Sequence, residues 1–293
     1  MAGWSVAPAR RLGRVTAPVF VLTADTIEPS GAAATARAGD LLVLTGSEAR
    51  HAVTVRRLRA GERVDLVDGE GLRLVCEVTQ PGAGGAKDRL GVRVTERGEE
   101  ATAPLRLALV QALAKGGRDE QAVETATEVG ADLVVPWQAS RCVSVWNGPK
   151  AAKGRARWQA TAHEAAKQAR RSRVPAVEEA HSTPQLCTWV ARAVEAGGVV
   201  LVLHEEGTRP IRQVSLPCAP EDAGTPQEAG AEAGEPPVLG VVVGPEGGIS
   251  EQEVSALEAA GATTVRLGPH VMRTASAGPV ALAVLAQRAG LWG

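Results

Sequence analysis

The stretch 238–285 constrains the fold most, because it runs twice through one pattern: an apolar run, a glycine-bearing turn and a helix start. The first run, Val238-Leu239-Gly240-Val241-Val242-Val243, has the length and β-branched content of a buried strand. It ends in Gly244-Pro245-Glu246-Gly247-Gly248. Beyond that turn, Ser250 and Glu253 are spaced as a capping box, and Ile249 and Val254 as a hydrophobic staple. This predicts a helix running to about Ala260 and stopped by Gly261. The second run, 263–267, leads into Gly268-Pro269-His270-Val271-Met272-Arg273-Thr274-Ala275-Ser276-Ala277. Gly278 and Pro279 then open a last helix, with proline at the first helical position. That helix, 279–287, is apolar on every side, so it must be covered all round, by a second subunit or within one chain. Ligands of open α/β sheets lie outside the carboxyl ends of the strands, where both turns fall.

Familiar loop chemistries do not fit. The turn 244–250 has no Gly-Lys-Ser/Thr and no Gly-x-Gly-x-x-Gly, so it is neither a P-loop nor a dinucleotide fingerprint. Gly248-Ile249-Ser250-Glu251-Gln252 lacks the final glycine of a nucleophile elbow. The residues alone allow close backbone approach to a ligand, or a turn that is purely structural.

The remainder divides into two textures. Residues 1–98 read as short strands (18–22, 41–44, 63–67, 72–78 and 90–95), with Asp68-Gly69-Glu70-Gly71 as a hairpin turn and one helix from Ser47 to about Arg59. A loop is expected at 82–87 and a linker at 96–103. From Leu105 onward, strands at 105–110, 133–135 and 199–203 alternate with helices, one capped by Asp119 and others at 155–171 and 184–194. That alternation predicts a parallel sheet. A chain of 293 residues suits two domains, here 1–98 as a small β-barrel and 99–293 as an α/β domain. Segment 215–237, rich in Pro, Ala, Gly and Glu, reads as a mobile insertion.

A formal net charge of −1 argues against a uniformly basic nucleic-acid binder, yet it hides two blocks. Lys150, Lys153, Arg155, Arg157, Lys167, Arg170, Arg171 and Arg173 crowd one segment against Glu164 alone. Glu221, Asp222, Glu228, Glu232 and Glu235 fill another. The basic block suits RNA phosphates, although helix dipole and solvation could also account for it. With no tyrosine and one phenylalanine, an RRM-type stacking platform is excluded. Cys76, Cys142, Cys187 and Cys218 form no C-x-x-C pair and read as free thiols of a reducing cytoplasm. The histidines show no metal spacing, and no apolar run reaches the length of a membrane span.

Several ordered blocks now carry a resemblance. Gly244-Pro245-Glu246-Gly247-Gly248-Ile249-Ser250 with Glu253, and Leu267-Gly268-Pro269 with Val271-Met272-Arg273-Thr274, resemble the two signature loops of the RsmE family. These are ribosomal RNA uridine-N3 methyltransferases of the knotted SPOUT class. Upstream, Ala112-Leu113-Ala114-Lys115-Gly116 with Arg118 and Glu120, Glu128-Val129-Gly130-Ala131-Asp132, Ser140-Arg141-Cys142, Trp158, Glu164-Ala165-Ala166-Lys167-Gln168 and Arg173-Val174-Pro175 resemble family blocks in the same order.

The resemblance implies a trefoil-knotted parallel-sheet α/β domain preceded by a PUA-like β-barrel. It implies S-adenosylmethionine (S-adenosyl-L-methionine) as cofactor, methylation of N3 of a uridine in 16S ribosomal RNA of the small subunit, and a homodimer through the C-terminal helix. Three strand ends would enclose the cofactor: Leu203, His204 and Glu205; Val243, Gly244, Pro245, Glu246, Gly247 and Gly248; and Leu267, Gly268, Val271, Met272, Thr274, Ser276 and Ala277. Arg273 is the candidate catalytic residue. Expected RNA contacts are His51, Arg56, Arg57, Arg59, Lys115, Arg118, Arg141, Lys167, Arg170, Arg171 and Arg173.

One departure stands out. Many family members have Arg-Thr-Glu-Thr where this chain has Arg273-Thr274-Ala275-Ser276, so a general base at that glutamate is missing; Glu246 could serve as base, although a structural hydrogen bond within the turn is its more ordinary role. Two other readings follow: a catalytically altered RNA-binding protein on the same fold, and a related transfer RNA methyltransferase.

Overall fold

The computed structural model describes residues 17–217 and 235–292. Most of the acidic insertion expected at 215–237, and Cys218, lie outside the described residues. The described chain forms two compact units, one of 17–102 with 166–174, the other of 103–165 with 175–292.

The first unit is a six-stranded mixed sheet around one core. Its strands are β1 (Val19–Val21), β2 (Ile27–Glu28), β3 (Leu41–Thr45), β4 (Arg63–Val67), β5 (Leu72–Pro81) and β6 (Arg89–Glu99), in the order β1-β4-β5-β6-β3-β2. Alternate residues of these strands, among them Leu42 and Leu44, Leu72, Leu74 and Cys76, and Leu90, Val92 and Val94, point into the same core. The hairpin turn predicted at 68–71 joins β4 to β5: the Asp68 carboxylate accepts from the N–H groups of Glu70, Gly71 and Leu72. The first half of the linker expected at 96–103 is strand, because β6 runs on to Glu99 paired with β5. The single helix expected from Ser47 to Arg59 is shorter. A turn of α-helix, α1 (Gly46–Arg50), passes into a π-helical turn (His51–Val55), and Arg57 adopts a left-handed backbone at φ 55 that ends it.

The second unit is an eight-stranded sheet in which every pairing is parallel. In chain order it contains β7 (Arg106–Ala112), α2 (Arg118–Val129), β8 (Leu133–Gln138), α3 (Pro149–Gln168), β9 (Ala176–Val177), β10 (His181–Ser182), α4 (Thr183–Glu195), β11 (Val199–Leu203), β12 (Arg209–Pro210), β13 (Val238–Val243), α5 (Glu251–Ala259), β14 (Thr263–Arg266) and α6 (Thr274–Arg288). The last residues of α3 group with the first unit. The strand order β10-β8-β7-β13-β11-β14-β12 puts β13 at the centre, with β9 pairing β8.

Both faces of this sheet are covered, which explains why the central strands are apolar throughout rather than alternating. Leu107 and Leu109 of β7 and Leu239, Val241 and Val243 of β13 pack beneath α2 and α6. Ala108, Val110, Val200, Val202 and Val242 face the opposite layer, with Leu186 and Val190 of α4 and Leu257 of α5. Helix α6 begins at Thr274, not at Pro279, and Pro279 lies buried inside it. Most of the helix is covered within the chain by α2, β7 and β13. Its all-round apolarity therefore reflects a deep position in this unit, and only Val280 among its large apolar residues is exposed. No helix among the described residues is long and apolar enough to cross a membrane.

Candidate active site

The carboxyl ends of β11, β13 and β14 surround one cavity of about 830 Å³, within the range typical of small-molecule sites. Three stretches form its walls: 203–206 after β11, 243–249 after β13, and 266–274 leading into α6. Arg118 and Arg141 complete the rim.

The first wall is held from its own backbone. The N–H of His204 donates to the carbonyl of Val265, and Nδ1 of His204 accepts from the N–H of Glu206. The second wall needs its glycines for contact reasons. A Cβ on Gly244 would lie 2.6 Å from Cγ1 of Ile249, and one on Gly247 would lie 3.2 Å from Cβ of Arg141. Only Gly248 of this turn requires the left-handed region, at φ 74. The turn then enters α5 through the capping box read from the sequence: the N–H of Glu253 donates to Oγ of Ser250, and the Glu253 carboxylate accepts from the N–H and hydroxyl of Ser250.

Glu253 does far more than cap. It is buried, and its carboxylate also accepts from the N–H and hydroxyl of Ser140, both at 2.7 Å, and from the hydroxyl of Thr183 at 2.9 Å. Burial raises its pKa, but the hydrogen bonds from Ser140 and Ser250 outweigh that and hold the group below the ordinary carboxylate value. This anchors the loop carrying Arg141, which donates to the carbonyl of Gly247 at 3.2 Å.

The third wall is tied to the second by one hydroxyl. Thr274 donates to the carbonyl of Gly244 at 2.9 Å, at the first residue of α6. Arg273, the N-cap, lines the cavity beside it. Close seating of α6 depends on Gly278, where a Cβ would lie 2.5 Å from Leu109 and 3.1 Å from Val243.

Of the proposed cradle residues, Leu203, His204, Glu205, Val243, Gly244, Pro245, Glu246, Gly247, Gly248, Leu267, Gly268, Val271, Met272, Thr274 and Ala277 converge on this cavity, whereas Ser276 is not among its lining. Glu206, at the same strand end as His204 and Glu205, and Glu251, which the sequence placed only in the first turn of a helix, line it as well. With Glu205 and Glu246 they place four carboxylates around the space, against the four arginines Arg118, Arg141, Arg266 and Arg273, so the lining offers partners for both signs of charge.

A domain model described as an RNA methyltransferase domain matches residues 101–286, and one described as an RNA methyltransferase PUA domain matches 44–87. The chain is 43% identical to the ribosomal RNA small subunit methyltransferase E of Mycobacterium bovis, over 92% of this chain and 91% of that protein. It belongs to that methyltransferase E family. The Bacillus subtilis family member is 30% identical over 85% of this chain and 90% of its own length. A crystal structure of the Neisseria gonorrhoeae family member, bound to S-adenosyl methionine, shares the fold with a TM-score of 0.71 at 24% identity, covering 95% of this chain and 99% of that one.

Within this family member the expected RNA-contact residues separate. Lys115, Arg118 and Arg141 are exposed in the methyltransferase unit, with Arg118 and Arg141 on the cavity rim. Arg56, Arg57 and Arg59 are exposed on the PUA-type unit, where His51 sits edge-on to Phe20. Two others do not face solvent as expected. Lys167 is buried and its Nζ meets the Glu48 carboxylate at 2.8 Å. Arg173 lies against Gly71, and its guanidinium donates to the carbonyl of Glu100. Both cations serve the packing of segment 166–174 in the first unit rather than a phosphate. Arg170 has a left-handed backbone at φ 57, and its carbonyl accepts from Arg73. Arg171 is half-buried. Arg155 and Arg157 of the basic block pair with Glu179 and Glu120.

Asp119 is not the helix cap. Gly117 holds that position in a left-handed conformation, and the buried Asp119 carboxylate folds back to accept from the N–H groups of Ala114 and Glu120. The alternative base, Glu246, accepts from the N–H of Lys115 and from Arg118 at 3.1 Å. Burial opposes its ionisation, yet these bonds hold its pKa below the usual carboxylate value, which weakens it as a base. Burial pushes the Cys142 thiol up to about 11, so it is no nucleophile at neutral pH.

Proposed function

We propose that this methyltransferase transfers the methyl group of S-adenosylmethionine to N3 of a uridine in 16S ribosomal RNA of the small subunit. The observation that carries the reading is the meeting of both glycine-bearing loops and Arg273 around one cavity. The cavity has room for the cofactor, and added side chains at Gly244 or Gly247 would collide with the walls. Carboxylates Glu205, Glu206 and Glu251 suit its positively charged sulfonium and amino groups, and the lining arginines suit its carboxylate. When bound, S-adenosylmethionine supplies a methyl group that needs no further activation.

The backbone of 244–248 and 267–272 orients the site, and orientation of this kind lowers a bimolecular barrier by roughly 7–11 kcal/mol. Arg273 lines the same cavity, where its charge would favour the N3 anion by stabilising the adjacent oxygens. Ala275 offers no base at the family's glutamate position and Glu246 is held by Arg118, so the N3 proton passes to solvent or to another carboxylate of the lining. The exposed arginines of the PUA-type unit would meet RNA phosphates. The course of the chain, from β14 beyond β11 back to α6 against β7 and β13, supports a knotted SPOUT arrangement. A homodimer through the remaining exposed edge of α6 at Val280, and a cytoplasmic site of action, complete the proposal.

Incubation with methyl-labelled S-adenosylmethionine and small subunits lacking the modification should label uridine N3. Label on naked transfer RNA instead, or cofactor binding without transfer, would replace this reading with a different substrate or a catalytically altered protein.

A further inference from the structure

We propose that Gln111 is a positioning residue for methyl transfer, acting through Thr274; the inference rests on the function proposed above. Gln111 lies near the end of β7, fully buried, and does not line the cavity. Its Nε2 donates to the carbonyl of Ala112 at 3.1 Å and to Oγ1 of Thr274 at 2.8 Å. The Thr274 hydroxyl, having accepted there, gives its one proton to the carbonyl of Gly244 at 2.9 Å. A buried amide thus fixes the rotation of the hydroxyl that joins the two cavity loops, one residue from Arg273.

The direction of this relay is forced. Turning the amide over would set Oε1 against the Ala112 carbonyl, oxygen against oxygen. In the forced orientation Oε1 is buried without a partner. An unmet buried acceptor is destabilising, and an apolar side chain of similar size would avoid it. A polar residue kept under that cost, at the junction of the two loops, is explained by what its other end holds.

A structural role and a positioning role make opposite forecasts. Replacing Gln111 by Leu removes both the relay and the orphaned oxygen. The variant should melt no lower than wild type, while kcat at saturating cofactor and RNA falls by about tenfold to a hundredfold, as expected for a displaced loop. Gln111→Glu should lower kcat at least as far, because a carboxyl oxygen would accept the Thr274 proton and leave the Gly244 carbonyl without it. Thr274→Val should match Gln111→Leu, Thr274→Ser should keep most of the activity, and the double variant Gln111→Leu/Thr274→Val should be no worse than either single. Wild-type kcat in Gln111→Leu, or multiplying effects in the double variant, would overturn the relay while leaving the proposed function standing. If Gln111→Glu or Gln111→Leu fails to fold, the Thr274 pair decides: equal kcat for Val and Ser at that position overturns it. An inactive wild type removes the proposed function and this inference together.

Discussion

The carboxylate of Glu253 accepts a hydrogen bond from the backbone N–H of Ser140 at 2.7 Å, across a sequence separation of 113 residues. Through that bond the start of α5 holds the loop that carries Arg141 to the cavity rim. The hydroxyls of Ser140, Ser250 and Thr183 saturate the rest of the carboxylate.

Protonation of Glu253 should therefore destabilise the fold. Its folded pKa lies below the ordinary value of 4.5, so the contribution is complete above that value and is lost as pH falls through the folded pKa. Urea titrations at a series of pH values should show wild type losing stability through this acid window, with Glu253→Gln losing less. At neutral pH Glu253→Gln should cost about 2–3 kcal/mol, because its amide would face the donors of Ser140 or Ser250.

Gly278→Ala should destabilise despite alanine's better helix propensity, worth about 1 kcal/mol. The added carbon meets Leu109 at 2.5 Å and Val243 at 3.1 Å in a close-packed layer, and overpacking of this kind costs about 1–3 kcal/mol. A lowered melting temperature with reduced cofactor binding is expected, since the same shift moves the start of α6.

How much of this was legible in the sequence depended on how local the determinants were. The Ser250–Glu253 box and the 68–71 hairpin turn were readable because their partners lie within a few residues, and the strand at 199–203 because its own apolar, β-branched run marks it whatever it pairs with. The further partners of Glu253, and the Gln111–Thr274 bond, join segments brought together only by the sheet order, and nothing in spacing reveals them. The start of α6 was misplaced because proline is most readily read as a first helical residue, whereas Thr274 begins the helix and Pro279 is accommodated by burial. The charge density around Lys167 suggested an open basic face, but sequence does not tell which cations are internal. Lys167 meets Glu48 and Arg173 meets Glu100 in the packing of segment 166–174.

That distinction is measurable. Arg56→Gln with Arg59→Gln should weaken RNA binding and reduce the slope of log affinity against log salt by roughly 0.7–0.9 for each phosphate that is no longer neutralised. Lys167→Met should leave the slope unchanged and instead lower stability by about 1–3 kcal/mol, since it strands the half-buried Glu48 carboxylate without its partner. Filter binding over a salt series and a denaturant melt separate the two effects.

Arg273→Ala should lower kcat by about a hundredfold to a thousandfold, the usual cost of removing one group that stabilises developing negative charge. Calorimetric binding of S-adenosylmethionine should change little if, as proposed, the backbone of the two loops holds the cofactor. A large loss of cofactor affinity with kcat intact would assign Arg273 to binding instead.

The most direct test of the account is nucleoside analysis of 16S ribosomal RNA from cells in which the gene has been deleted. One 3-methyluridine should disappear, return with the wild-type gene, and fail to return with Arg273→Ala. An unchanged content of 3-methyluridine, or loss of a different modified nucleoside, would contradict it.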